Sequence, residues 1–275
     1  MPLPPIDRKT CVIRNTAAMR GRTRTVAPGQ TAARYLHYGR IVLARGDAPV
    51  SVDPGPLETG LICVKGQASV TAGGTTHAMV PYDALYVPRA TSFVVTPGSD
   101  GCDLVEIAAP VEQHYPLQFV SFAAVQGDPG LHFAAGDDTS RRELNILLGK
   151  NVNAGRIMAG ITFSKPGNWT SWPPHEHAVL AEEAYLYLDM PHPAFGVQLV
   201  YANDTEPELA TIVRDGDVVL MPQGYHPNVA APGHSINFIW MMAASRELED
   251  RQFGVVNVHP DFAAAGSGLD KGRAR

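Results

Sequence analysis

Apolar residues in this chain occur in short runs, and turn-forming residues separate one run from the next. The 26 glycines and 23 prolines are scattered along the whole sequence and interrupt these runs. Many short apolar runs between turns predict β-strands packed as a sandwich or barrel. Helical periodicity is weak, so we expect an all-β protein. The predicted strands are Tyr35–Leu43, Leu61–Val64, Ser69–Thr71, Ala84–Val87, Ser92–Thr96, Leu104–Ala108, Arg156–Phe163, Ala184–Leu188, Val197–Tyr201, Ala210–Val213, Val218–Leu220 and Ile236–Met242.

The second half of the sequence repeats a pattern found in the first half. Tyr82–Ala90 aligns with Gly216–Gly224: in both segments an acidic turn leads into an apolar strand that ends at a proline. The spacing from aspartate to proline is the same in both. Self-similarity of this kind indicates a duplicated structural unit. Extended by two positions, the alignment places Ser92 opposite His226.

We therefore predict two β units, residues 1–125 and residues 126–275, joined through Gln113–Asp138. The first unit has no counterpart of the histidine pair His175 and His177, so its role is expected to be structural, covering sheet faces or contacting another subunit. A homo-oligomer is expected on this basis. The tail Ala263–Arg275 is rich in small and charged residues and is expected to be loose.

Composition limits the class of protein further. A net charge of -5 and a pI near 6.0 argue against binding to nucleic acid or to an anionic membrane surface. No apolar run is long enough to span a bilayer, and the N-terminus lacks the basic and apolar regions of a secretory signal. Cys11, Cys63 and Cys102 are an odd number without CxxC spacing, which favours buried thiols in a reducing compartment. We expect a cytoplasmic protein.

Histidine spacing provides the first indication of chemistry. His175 and His177 follow two prolines, and histidines at i and i+2 of a strand share one face. A carboxylate from the pair Glu182-Glu183 and the imidazole of His226 are placed to complete the set. Three imidazoles and a carboxylate suit a divalent ion such as zinc, iron or manganese and leave positions open for a substrate. Zinc is the first candidate, with manganese and iron as alternatives.

These residues also resemble a known family. The segments Pro173–His177, Glu183–Tyr187 and Gly216–Pro227 are similar to the 5-deoxyglucuronate isomerase family of inositol catabolism, and the similarity is strongest from Arg141 to Ala244. The sister family, 5-keto-4-deoxyuronate isomerase of pectin breakdown, shares the metal set. Both are bicupins, that is, proteins with two cupin barrels in one chain. The resemblance implies this fold and an aldose–ketose isomerase acting on a sugar acid.

The resemblance also bears on the choice between the two adjacent glutamates. In cupins the ligating carboxylate directly precedes the strand with alternating aromatic residues, which favours Glu183. Strand phase agrees, because Glu183, Tyr185 and Tyr187 then share the barrel-facing side. Counting residues from His177 would instead select Glu182, so that alternative stays open. The implied ligand set is His175, His177, Glu183 and His226.

An isomerase also needs a group that carries a proton and a group that binds the acid. Candidate proton carriers are Tyr225, Tyr185, Glu182 and Lys165. Arg141 or Arg142 would pair with a substrate carboxylate through a bidentate fork.

Other functions are compatible with such a site. A metal-dependent dioxygenase would consume oxygen, and a non-enzymatic sugar-binding cupin would bind its ligand without turnover. The sequence has no P-loop and no dinucleotide fingerprint, so no nucleotide cofactor is expected.

Overall fold

This computed structural model describes residues 3–177, 179–203, 205–266 and 268–269, and the chain within these ranges is predominantly β-structure. The N-terminal strands are β1 Val12–Ile13, β2 Gly21–Val26, β3 His37–Leu43, β4 Val50–Val52, β5 Leu57–Ala72, β6 Thr75–Met79, β7 Ala84–Val87, β8 Phe93–Pro110 and β9 Gln118–Val120. The C-terminal strands are β10 His132–Ala135, β11 Arg142–Leu148, β12 Ile157–Ser164, β13 Trp169–Thr170, β14 His175–Glu176, β15 Ala181–Leu188, β16 Gly196–Val200, β17 Leu209–Val213, β18 Val218–Met221, β19 Asn228–Ala230, β20 Asn237–Ala244 and β21 Asn257–Val258. Helical segments are short: α1 Arg8–Cys11, α2 Phe122–Gly127 and 3₁₀ turns at Thr16–Ala18 and Pro260–Ala265. The predicted all-β class is confirmed.

Each half folds around antiparallel sheets. In the N-terminal half the order is β2-β3-β8-β5-β7-β9, with β4 added to β8 and β6 added to β5. The C-terminal half has a seven-stranded sheet, β1-β18-β15-β20-β12-β11-β10, and a four-stranded sheet, β13-β19-β16-β17. The two C-terminal sheets face each other, since the buried Tyr187 hydroxyl of β15 donates a hydrogen bond to the Gln198 side-chain oxygen of β16. The space between these sheets contains the candidate site.

Two long strands correct the predicted pattern. Strand β5 covers two runs predicted as separate strands, and so does β8. The β5–β8 pairing shifts register between Cys63 and Lys65 and again between Gly66 and Ala68. Such bulges let one strand bend without ending. Gly66 has φ 70°, and a Cβ there would lie 2.2 Å from the Gly101 carbonyl oxygen, so the glycine marks a bend in the strand and not a turn between two strands.

The internal repeat is visible in local hydrogen bonds. The Asp83 carboxylate accepts a hydrogen bond from the backbone amide of Val80 at 3.0 Å, and the Asp217 carboxylate accepts one from Arg214 at 3.0 Å. Each aspartate thus closes the turn that precedes the equivalent strand, β7 or β18. This shared hydrogen bond is the physical reason for the acidic residue in both copies.

Strand register extends the equivalence to the site. Thr59 of β5 pairs with Val87 of β7, and Glu183 of β15 pairs with Met221 of β18. Thr59 therefore occupies the position that Glu183 has in the second copy. The interior of the first unit is filled by a cluster of apolar side chains that includes Leu61, Val70, Met79, Phe93 and Leu104.

The two halves share a continuous core, because one apolar cluster contains buried residues from both. Strand β1 also crosses over and pairs with β18 of the C-terminal sheet. The predicted division at residue 125 stays a prediction. The three cysteines are unpaired and buried.

The C-terminal tail differs from its expected looseness where the structure describes it. Pro260–Ala265 forms a 3₁₀ helix whose Phe262 ring packs edge-on against Trp172 at 5.1 Å, and Leu269 lines a pocket of the C-terminal half. Residues 267 and 270–275 of that prediction lie outside the described residues. Within the described ranges, none of the helices has the length and apolar character needed to cross a membrane.

Candidate metal centre

Three histidine rings meet in the C-terminal barrel. His175 lies in β14, His177 directly follows that strand, and His226 lies between β18 and β19. Strand β14 is held in extended backbone by pairing with β21, so the two histidines of the HxH sequence reach the same side. One ring nitrogen from each of the three histidines lies within 4.8 Å of the others. The barrel therefore brings together imidazoles that are 51 positions apart in the chain.

The second nitrogen of each ring contacts a backbone carbonyl. The Nδ1 atom of His175 lies 2.8 Å from the Pro173 oxygen, and that of His226 lies 2.9 Å from the Gly224 oxygen. The Nδ1 atom of His177 lies 3.0 Å from the Ala181 oxygen. A carbonyl only accepts, so these contacts assign the proton of each neutral ring to Nδ1 and leave the Nε2 lone pair free. This is the orientation that metal-ligating histidines adopt.

Glu183 supplies a carboxylate to the same point. Its Oε2 atom lies 2.9 Å from His177 Nε2 and 3.1 Å from His226 Nε2. Strand alternation along β15, which pairs with β18 and β20, orients this side chain toward the interior. Burial alone would raise the pKa of Glu183, but the imidazoles of His177 and His226 outweigh it and lower the pKa to about 2. The carboxylate is ionised at neutral pH.

The donor set fits a divalent cation. Burial alone would lower the pKa of His177, but the Glu183 carboxylate outweighs it and raises the pKa, so positive charge is favoured between His177 Nε2 and the carboxylate oxygen 2.9 Å away. A divalent ion bound to both atoms would supply that charge in place of a proton. His226 Nε2 is buried and, although close to Glu183, lies outside hydrogen-bond geometry. Burial and the two neighbouring imidazoles lower the pKa of His175 to about 3, so this ring is neutral and able to ligate. Three neutral imidazoles and one carboxylate then satisfy a divalent ion.

Glu182 lies on the opposite face of β15. Its side chain is 0% exposed, and its carboxylate accepts hydrogen bonds from the backbone amides of Arg34, Tyr35 and Leu36 at 2.7, 2.7 and 2.5 Å. The side chain therefore points away from the histidines. The structure therefore does not bring Glu182 to the histidine cluster, and its oxygens are engaged by the N-terminal half.

A pocket opens beside the cluster. His175, His177 and Glu183 form one part of its wall, and Tyr185, Phe238 and Trp240 form another. The C-terminal segment Phe253–Val256 and Leu269 complete the lining of the pocket. Aromatic walls next to a few polar groups are typical of small-molecule sites.

Arg142 contributes a positive charge to this pocket. Its side chain is buried, with the residue 4% exposed, and its guanidinium donates to the backbone oxygens of Ser140 and Trp172, each at 2.9 Å. Among the described residues no carboxylate forms an ion pair with it. Burial lowers the pKa of Arg142 to about 10, so the group stays charged at neutral pH. The charge of Asp137 offsets part of the free-energy cost of burying this guanidinium, and a carboxylate bound directly to it would offset more.

The remaining predicted residues divide into those at the pocket and those elsewhere. Tyr185 lines it, and its hydroxyl lies 2.7 Å from the Ser171 hydroxyl. Burial and the Glu183 carboxylate raise the pKa of Tyr185 well above its usual value, so the phenol keeps its proton.

Tyr225 packs against His259 at 4.7 Å between ring centroids and is not part of the pocket wall. Lys165 and Arg141 are exposed side chains outside it.

Sequence reasoning missed two parts of the pocket. Trp240 lines it, and its buried indole nitrogen has no hydrogen-bond partner among the described residues. The other part, the lining segment Phe253–Val256, follows strand β20 and has no motif of its own. The only available signal was the placement of Trp240 within a strand whose alternate residues face the interior.

The fold and site together define a class of protein. Two cupin-type β units, with a histidine–glutamate cluster in the second, are the features of a bicupin with one site suited to a divalent ion. A model of the KduI/IolB family matches residues 12–261, and the chain belongs to this family. The predicted family and fold are confirmed.

Relatives of known name agree with this family. The chain is 29% identical to the 5-deoxy-glucuronate isomerase of Geobacillus kaustophilus over 243 residues, covering 81% of this chain and 84% of that protein. It is 26% identical to the enzyme of the same name from Bacillus subtilis strain 168, covering 76% and 81%. An IolB-like protein of Salmonella typhimurium LT2 superposes with a TM-score of 0.80 at 21% identity, covering 92% of this chain and 98% of that one. Oxalate decarboxylase shares the fold, with a TM-score of 0.66 at 11% identity. The family and the named relatives support the predicted isomerase.

Proposed function

We propose that this protein is a divalent-metal-dependent aldose–ketose isomerase that converts 5-deoxy-glucuronate into 5-dehydro-2-deoxygluconate. The arrangement of the site carries the proposal. A cluster suited to a metal ion and a buried arginine line the same pocket, so one pocket offers groups for a carbonyl and for a carboxylate. A sugar acid with an aldehyde at one end presents both.

The reaction itself needs no outside oxidant or reductant. The carbon that bears the hydroxyl loses its hydrogen, the aldehyde carbon gains one, and the hydroxyl proton moves to the former aldehyde oxygen. All atoms and electrons remain in the substrate. A divalent ion held by His175, His177, Glu183 and His226 would supply Lewis-acid polarisation of the carbonyl. Zinc is the proposed ion because it suits three imidazoles and a carboxylate.

Residues of the chain supply the remaining tasks. Arg142 binds and orients the carboxylate through its guanidinium, which forms no direct ion pair with a carboxylate among the described residues. Tyr185, protonated at neutral pH and in contact with Ser171, donates a hydrogen bond to a substrate oxygen. Trp240 offers an indole N–H to a substrate hydroxyl. The segment Phe253–Val256 limits the access of water.

The choice of 5-deoxy-glucuronate rests on the named relatives, which are 5-deoxy-glucuronate isomerases. The family model also includes the KduI branch, so 5-keto-4-deoxyuronate is the competing substrate. Homo-oligomeric assembly stays a prediction.

The test is direct conversion. Purified protein loaded with zinc, manganese or iron is incubated with 5-deoxy-glucuronate, and the ketone product is followed by NMR while dissolved oxygen is recorded. We expect ketone formation with constant oxygen, no added nucleotide, and about one bound ion per chain by elemental analysis. His226→Ala is the matched control and should lose both the ion and turnover.

Other outcomes would change the proposal. Faster turnover of 5-keto-4-deoxyuronate would keep the isomerase class and change the substrate. Oxygen consumption in step with substrate loss would identify a dioxygenase, and binding without conversion would identify a sugar-binding protein. Full activity in a metal-free preparation would remove the metal from the proposal.

A further inference from the structure

Two buried glutamates connect the halves of the molecule in a reciprocal way. Glu182, on β15 of the C-terminal half, accepts the amides of residues 34–36, which lead into β3 of the N-terminal half. Glu58, on β5 of the N-terminal half, accepts the amides of Gly155, Arg156 and Ile157 at 2.7, 2.6 and 2.7 Å, and these residues lead into β12 of the C-terminal half. Both glutamates are 0% exposed. We call these arrangements the Glu182 clamp and the Glu58 clamp.

Strand register shows that the clamps are equivalent. Glu58 and Glu182 are each the second residue of their strand, β5 and β15. Leu36 immediately precedes His37, which pairs with Ala108 of β8, and Ile157 immediately precedes Met158, which pairs with Met242 of β20. Thr59 pairs with the same Ala108, and Glu183 pairs with the same Met242. Each copy therefore holds the start of the equivalent strand of the other copy, β3 or β12, at the same position.

Each clamp has one further side-chain partner: Arg34 forms an ion pair with Glu182 at 3.5 Å, and the Tyr86 hydroxyl donates to Glu58 at 2.7 Å. The difference that bears on the histidine cluster is the residue after each glutamate. Glu58 is succeeded by Thr59, next to an interior filled by apolar side chains. Glu182 is succeeded by Glu183, whose carboxylate reaches the histidines. The residue before Glu182, Ala181, offers the carbonyl that orients the His177 ring at 3.0 Å. Three consecutive residues of β15 therefore have three tasks. Ala181 orients the His177 ring, Glu182 fixes the strand to the N-terminal half, and Glu183 is the proposed carboxylate ligand.

We infer that Glu182 is a positioning residue, through which the N-terminal half sets the metal affinity of the C-terminal site. The inference rests on the proposed metal site and assigns a task to the half that has no cluster of its own among the described residues. A carboxylate held by three successive backbone amides is fixed in place, because those amides belong to the bend that leads directly into β3. The start of β15 is therefore anchored from behind while Glu183 faces the ion. Partners that orient a ligand in this way commonly alter metal affinity by about 10–100-fold.

The repeat supplies a matched control. Glu182→Gln and Glu58→Gln each remove a buried charge and turn an amide nitrogen toward a backbone N–H, so both are expected to lower the melting temperature. Zinc affinity is measured on the full-length protein by competition with a chromophoric chelator, well below both melting transitions. Glu182→Gln should weaken zinc binding by about 10–100-fold, whereas Glu58→Gln should change it by less than about threefold.

The outcomes separate the two proposals. If the wild-type protein binds none of zinc, manganese and iron, the proposed function fails. If the wild type binds zinc and Glu182→Gln binds it equally well, or if Glu58→Gln loses as much affinity, the positioning role is wrong. Should Glu182→Gln fail to fold, Glu182→Asp and Glu58→Asp, which keep the charge but shorten the side chain, are compared in the same assay with the same criteria.

Discussion

Replacing Arg142 tests how the pocket recognises an acid. Arg142→Met keeps a long apolar side chain and removes the guanidinium. Burial lowers the pKa of this arginine from its usual 12.5 to about 10. At 1.36 kcal/mol per pKa unit, the buried charge is disfavoured by about 3 kcal/mol in the free protein.

A substrate carboxylate that pairs with Arg142 recovers energy of this order. We therefore expect KM for the acid substrate to rise by about 10²-fold in Arg142→Met, since 1.36 kcal/mol corresponds to a factor of ten.

The same substitution should affect folding stability less than it affects substrate binding. Removing the charge relieves its burial, but the carbonyls of Ser140 and Trp172 lose a donor, at roughly 1–3 kcal/mol each. These effects oppose each other, so the free energy of unfolding should change by no more than about 2–3 kcal/mol.

The assay is steady-state kinetics on the acid and on its neutral carboxamide analogue, together with urea unfolding. Arg141→Met is the matched control, because its neighbouring side chain is exposed and outside the pocket. It should leave KM within about twofold. The reasoning is refuted if Arg142→Met weakens the acid and the neutral analogue equally, or if Arg141→Met has the larger effect.

Three further predictions concern the ligand, the pH dependence and the packing. Glu183→Gln should lower metal content in elemental analysis and abolish most turnover, because it removes the only charged ligand; full metal occupancy would exclude Glu183 as a ligand. Burial and the charge of Arg24 lower the pKa of His37 to about 4. Between about pH 4 and 6.5 the His37 imidazole is therefore protonated in the unfolded chain but neutral in the folded protein. Stability should therefore fall as the pH drops from about 6.5 toward 4, and His37→Gln should flatten that part of the melting-temperature profile. A Cβ on Gly160 would lie 2.3 Å from both the Asn145 carbonyl oxygen and the Trp240 ring, so Gly160→Ala should lower the free energy of unfolding by at least about 1–3 kcal/mol in urea; an unchanged midpoint would contradict the packing.

The sequence alone determined the local features of this protein. Short apolar runs between turns predicted the strands, and β7 was predicted at Ala84–Val87, the bounds that the structure gives it. The repeated aspartate before β7 and β18 was recognisable because its hydrogen bond closes a turn within four residues. The HxH pair was informative for a similar reason, since strand alternation makes i and i+2 share a face in any strand.

Tertiary structure decided what depends on contacts between distant segments. The sequence offered Arg141 and Arg142 as equals, and only the placement of β11 buries one and exposes the other. Glu182 appeared as a candidate proton carrier, whereas the return of residues 34–36 from the other half engages its carboxylate. Strand alternation separates the two faces of a sheet, but it does not say what lies against each face. That is set by barrel closure and by the packing of one repeat on the other, which bring together residues more than a hundred positions apart.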